Sequence, residues 1–177
     1  LYSIRETKGR CVVLGGTSVS PPGGDKTVTN KGLADFWVVM TDTSGKTISW
    51  QRTYGGTDHD SLHVLELTKD GGFIMGGSSR SGISGDKTSA SRGGSDYWII
   101  KTDSTGSIQW QQTYGGPGDD FLTSIIETDD SGYLAGGFSA SDTGFEKTDS
   151  CRGNYDYWAL KISGAGIIQW DKTLGGD

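Results

Sequence analysis

Six acidic residues at regular spacing offer the most direct chemistry in this chain. Asp25, Asp86 and Glu146 each stand in a Gly-, Ser- and Thr-rich stretch, and Asp35, Asp96 and Asp156 follow them ten residues later. Such loops suit calcium, which takes roughly six to eight oxygen ligands from carboxylates, carbonyls and water. A contiguous Asp-x-Asp-x-Asp calcium loop is absent, so the competing expectation is that these carboxylates close Asx turns or pair with Lys26, Lys87 and Lys147. Asp119 and Asp120 have the types needed for acid and base work, as in glycoside hydrolysis, but adjacent carboxylates at a repeat boundary usually serve a turn. His59 and His63 are the only histidines, and no nucleophile motif accompanies them. A non-catalytic protein is expected.

Aromatic side chains offer binding instead of catalysis, because their faces stack on sugar rings. Trp50, Trp110 and Trp170 fall in strand register with Ile48, Ile108 and Ile168, and Trp98 with Ile100, which points to core packing. Phe145 and Tyr155 lie in a loop and occur in one repeat only, so they join Asp119 and Asp120 as candidate ligand contacts.

The elements that must position these residues occur three times. Trp50, Trp110 and Trp170 are 60 residues apart, and a period of this order marks a propeller, solenoid or array. The repeats run approximately over 1–56, 57–116 and 117–177 of one repeat domain, or of a segment of a larger ring. Each reads as four strands. The first ends in a tight turn such as Lys69-Asp70-Gly71-Gly72; the second carries a Gly-Gly pair, as in Phe73 to Gly77, which suggests close backbone approach. A long loop follows, with Gly24-Asp25-Lys26-Thr27, Gly85-Asp86-Lys87-Thr88 and Phe145-Glu146-Lys147-Thr148 in register. Loops beyond roughly 12 to 15 residues are uncommon unless they bind something or are disordered. The third strand puts Trp98 and Ile100 on one face and Tyr97 and Ile99 on the other, so both faces must be covered. The fourth, Ile108 to Tyr114, alternates as a strand with one buried face.

The expected fold is therefore all-β and β-propeller-like, with three four-stranded antiparallel repeats; a β-trefoil-like three-fold fold is the alternative. Natural propellers have typically four to eight blades, so further repeats in cis, or other copies in an oligomer, are expected to complete a ring. Strand alternation places the tight turns on one face. The long loops, with Asp35, Asp96, Asp156, Asp60 and Asp120, fall on the other, where function is expected.

Composition narrows the partners. Thirty glycines and three prolines recur in register as turn chemistry. A formal charge of −6, with no run among the 16 Lys and Arg, argues against nucleic acid, and no stretch approaches the roughly 20 apolar residues of a membrane span. The sequence opens at Leu1, already inside a repeat, so a processed product or a piece of something longer is expected. Cys11 aligns with Phe73 and Tyr133, and Cys151 with Ser91 and Asn30, so the two thiols hold different repeat positions and are expected to be unbonded.

The run Trp110-x-x-Thr113-Tyr114-Gly115-Gly116, then Asp120, Asp130-Ser131-Gly132-Tyr133, Gly136-Gly137 and Asp156-Tyr157-Trp158 with Lys161 resembles tandem repeats common in secreted and cell-surface proteins of Bacteroidetes bacteria. Those proteins often carry a C-terminal sorting domain for type IX secretion. The resemblance spans essentially the whole chain. It implies an extracellular or cell-surface, propeller-like region, usually accessory to another activity or to adhesion. The expected role is adhesion or recognition of a carbohydrate or protein surface through the long-loop face, with a purely structural spacer or an accessory to a secreted enzyme as the alternatives. It supplies no catalytic residues. The chain departs from the pattern at Gly9-Arg10-Cys11, where Asp-Gly-Gly-Tyr is typical, and holds no sorting domain.

Overall fold

The computed structural model describes residues 1–176. Twelve strands form three four-stranded sheets, each an antiparallel meander drawn from one repeat. The first sheet comprises β1 (Ser3–Glu6), β2 (Cys11–Ser18), β3 (Asp35–Asp42) and β4 (Ile48–Tyr54). The second comprises β5 (Asp60–Leu67), β6 (Phe73–Ser79), β7 (Asp96–Thr102) and β8 (Ile108–Tyr114). The third comprises β9 (Asp120–Glu127), β10 (Tyr133–Ser139), β11 (Asp156–Ile162) and β12 (Ile168–Leu174). Pairing within each repeat is the arrangement of propeller blades, whereas a trefoil barrel shares strands among repeats. Among the described residues no strand pairs with a strand of another repeat, and a single isolated β-bridge, between Ala34 and His59, joins two repeats.

The sheets stack face to face: β5 lies across β1, β2 and β3, and β9 lies across β5, β6 and β7. Two apolar layers result, and β7 contributes to both. Trp98 and Ile100 enter the first layer with Val13, Phe36 and Val38. Tyr97 and Ile99 enter the second with Ile125, Trp158 and Leu160. All seven residues of β7 are buried, as the two-sided alternation requires. Each large apolar side chain taken fully out of water contributes roughly 1.5–3 kcal/mol, so these layers dominate the stability.

The Gly-Gly pairs have the close approach expected of them. A Cβ at Gly77 would collide with the Ser61 carbonyl, and one at Gly137 with the Phe121 carbonyl. Both sit opposite strand irregularities, between Leu62 and Val64 and at Gly136–Gly137. Across each junction a tyrosine reinforces the stack: the Tyr54 hydroxyl donates to the Gly106 carbonyl and that of Tyr114 to the Gly166 carbonyl, each at 2.6 Å.

Three expectations change. Val12 pairs with Thr41 as Phe73 pairs with Thr102 and Tyr133 with Ile162, so Cys11 stands one residue earlier than its predicted register, at the position of Gly72. The fourth strands bury only their ends, as at Thr113 and Tyr114, because each is the outer edge of its sheet. Trp170 is 48% exposed, in contrast to the core packing expected of it. Its equivalents Trp50 and Trp110 lie against Phe73 and Tyr133 of the following blade, and no further blade lies beside Trp170 among the described residues.

Candidate functional site

Antiparallel pairing puts Asp35 beside Ser18, sets Asp60 and Asp96 on either side of Ser79, and sets Asp120 and Asp156 on either side of Ser139. The long loops and these aspartates therefore share one face, as the strand directions require. The loop signature has four distinct jobs. Gly24 and Gly85 take left-handed φ angles of 58° and 57° to turn the chain. Lys26, Lys87 and Lys147 are buried and point back into their own loops: the ammonium of Lys87 donates to the Ser89 carbonyl at 2.9 Å, that of Lys26 to the Ser20 carbonyl, and that of Lys147 to the Asp149 carbonyl. The Thr27, Thr88 and Thr148 N–H groups donate to Gln51, Gln111 and Asp171, which also accept from the indoles of Trp37, Trp98 and Trp158.

The acidic member of the signature works between blades. Asp86 pairs with Lys31 of the preceding loop at 2.6 Å, and Glu146 with Arg92 at 2.7 Å. These acids do not pair with Lys26, Lys87 or Lys147, which are engaged inside their own loops. Asp25 is exposed and forms no ion pair among the described residues. The second acidic set closes the loops: Asp35, Asp96 and Asp156 accept the N–H of Lys31, Arg92 and Arg152 at 2.5, 2.6 and 2.6 Å. Asp25, Asp86 and Glu146 thus lie outside the turns that Asp35, Asp96 and Asp156 close. Among the described residues no three His, Cys, Asp or Glu side chains converge as a metal site.

Carboxylates do meet in pairs where the blades join. Asp60 accepts the Gly56 N–H and the Ser81 hydroxyl, and Asp120 those of Gly116 and Ser141. Asp35, Asp60, Asp96 and Asp120 are fully buried, and each leaves Oδ1 without a hydrogen-bond partner. Burial pushes the Asp96 carboxyl up to about 7; the Arg92 N–H opposes this and the Asp120 charge adds to it. Burial likewise raises Asp35 and Asp60 and pushes the Lys87 ammonium down to about 8. A carboxyl that keeps its proton in the fold avoids like-charge repulsion with its neighbour. Asp120 is therefore a junction residue, and Asp119 a turn residue whose Oδ1 accepts the Ser95 N–H at 2.8 Å.

The aromatic candidates separate. Tyr155 gathers with Phe121 and Phe138, ring centroids 6.4 and 5.6 Å away, on the open face of the third blade. Phe121 and Phe138 occupy the positions of Ser61 and Ser78, and that break in the repeat was the available signal for the cluster. Phe145 stands at a loop tip, 68% exposed, with φ of 54° at the position that Gly24 and Gly85 fill elsewhere. The Arg92 guanidinium lies over its ring at 5.8 Å. His63 donates through Nδ1–H to the Leu122 carbonyl at 2.7 Å. Both cysteines are free, and Cys151 donates to the Ser139 carbonyl just as Ser91 donates to that of Ser79. No helix is long and apolar enough to cross a membrane. No protein-family model matches the chain, and no curated protein is similar to it.

Proposed function

We propose that this chain is a non-catalytic recognition or adhesion module of an extracellular or cell-surface protein, engaging a carbohydrate or protein surface through its long-loop face. The observation that carries this reading is Phe145. A bulky residue in the left-handed region is a genuine outlier and costs of order 1–3 kcal/mol. Glycine occupies the same turn in both other repeats, so folding alone does not call for phenylalanine. A large exposed ring kept at that cost, with a guanidinium over one face, is suited to stacking on a sugar or on an apolar side chain. The extracellular setting rests on the resemblance of the repeats.

A structural spacer is the second reading, favoured by the loops themselves. Their lysines and inter-blade ion pairs brace each loop against its neighbours, which is what a rigid scaffold needs. Retention on immobilised polysaccharides and mucin separates the two. The recognition reading expects wild-type retention that Phe145→Gly abolishes while the fold is kept. Equal behaviour of the two proteins on every support contradicts it and leaves the spacer.

A further inference from the structure

The two ends of the blade stack carry matching halves of a junction that the molecule already builds twice. The first and third repeats hold five and eight of the exposed large apolar side chains, and the middle repeat only Ile83 and Ile108. On the first blade the open face presents Ile4, Leu14 and Trp37, with Val39 beneath them and itself buried; these are equivalent by register to Leu65, Met75, Trp98 and Ile100, which are buried against the preceding blade in the second. A groove runs across this face between Leu1, Leu14, Trp37, Val39 and Ile48. On the third blade the open face presents Leu134, Tyr157, Ala159 and Leu174, equivalent to Ile74, Tyr97, Ile99 and Tyr114, which are buried against the following blade.

Smaller features at the two ends match as well. At the internal junctions a Cβ placed on Gly106 would lie 3.1 Å from the Trp50 ring, and one on Gly166 would lie 3.0 Å from Trp110. Gly45, the third member of that set, has open space above it, and Trp170, the third tryptophan, is half exposed. In the loops, Lys31 pairs with Asp86 and Arg92 with Glu146. The series leaves Arg152 on the third blade and Asp25 on the first, both exposed and neither in an ion pair among the described residues.

We propose that two copies of this chain join head to tail, third blade on first blade at both ends, and close a six-bladed ring. Contacts of this heterologous kind either close or run on as filaments, and natural propellers have typically four to eight blades; two copies of three blades fall inside that range and three copies do not. Trp170 of one copy seats over Gly45 of the other, Arg152 faces Asp25, and the aromatic cluster of Phe121, Phe138 and Tyr155 is covered. Leu174 stands where Tyr54 and Tyr114 supply a hydroxyl, so this junction lacks the buried hydrogen bond of the internal ones and is the separable one. The inference does not depend on the recognition role of Phe145, which lies on the loop face.

Sedimentation equilibrium of the 177-residue chain tests it. Twice the chain mass of 18.8 kDa is expected, with dissociation on dilution. Trp170→Arg is expected to weaken association at least about tenfold, as loss of a central aromatic anchor does. Arg152→Glu weakens it several-fold, and adding Asp25→Arg to that variant restores it, an outcome that misfolding does not produce. A monomer at every loading concentration overturns the proposal and leaves the end faces to further blades of a longer chain. Species larger than the dimer overturn ring closure, and a Trp170→Arg protein that associates like wild type overturns the assigned faces.

Discussion

The middle blade and its two neighbours are built from the same repeat, yet they differ in what each position means. Trp98 has zero exposure, while Trp37, at the same position in the first blade, is only partly buried. Tyr97 is fully buried and Tyr157 is 74% exposed. The residue type is unchanged; the presence of a neighbouring sheet decides whether the side chain is core or surface. Burial in this fold is therefore a property of junctions between blades rather than of the blade sequence.

That comparison can be broken most forcefully at the tryptophans. Trp98→Ala removes a ring packed on all sides and is expected to cost about 3–5 kcal/mol of stability, the usual range for truncating a buried aromatic. Trp37→Ala, measured where the end faces are open, should cost roughly half of that or less, since less surface leaves water at that site. Equal losses in denaturant titrations would remove the distinction between middle and end.

The buried carboxylates sharpen it through pH. The folded Asp96 carboxyl holds its proton up to about 7, against an ordinary value of 3.8, because it is buried. Between those values the native state binds more protons than the unfolded chain, so this group makes stability fall as pH rises from about 4 to 7 and adds no further change above. Asp96→Asn keeps an acceptor for the Arg92 N–H and is expected to flatten that decline, gaining on wild type at pH 7.5 relative to pH 4. Lys87, pushed down to about 8, acts in the opposite sense only above that pH, so the window is clean of it. An unchanged slope in the variant would contradict the assignment of the decline to Asp96.

A smaller effect belongs to the tyrosine hydroxyls. Tyr114→Phe leaves the Gly166 carbonyl without its buried donor and should cost about 1–3 kcal/mol. Tyr157→Phe, with its ring already in water, should change thermal unfolding very little.

The repeats, their four strands, the shared loop face and the two-sided burial of β7 were all legible in the sequence, because periods of about 60 and of two survive without any knowledge of neighbours. What was not legible depends on which repeat lies beside which. The ion pairs of Asp86 and Glu146 reach the preceding repeat, to Lys31 and Arg92, whereas spacing within one loop suggested Lys26, Lys87 and Lys147. Trp170 reads as core from its register, and only the end of the stack exposes it. Cys11 slipped by one residue because its turn lacks the Asp-Gly-Gly signal, and Arg10 takes the left-handed conformation, with φ of 58°, where Gly71 has 85°. The cluster of Tyr155 with Phe121 and Phe138 joins a loop to two strands and needs the fold to be seen.

Replacing Phe145 by glycine and measuring unfolding and ligand retention on the same preparation tests the central claim most directly. Glycine relieves the left-handed strain at φ of 54°, so the variant should unfold at the same temperature as wild type or slightly higher, while losing retention on the polysaccharide or mucin support that holds wild type. A variant that unfolds earlier and still binds would contradict the account, making Phe145 a structural residue and the loop face something other than a recognition surface.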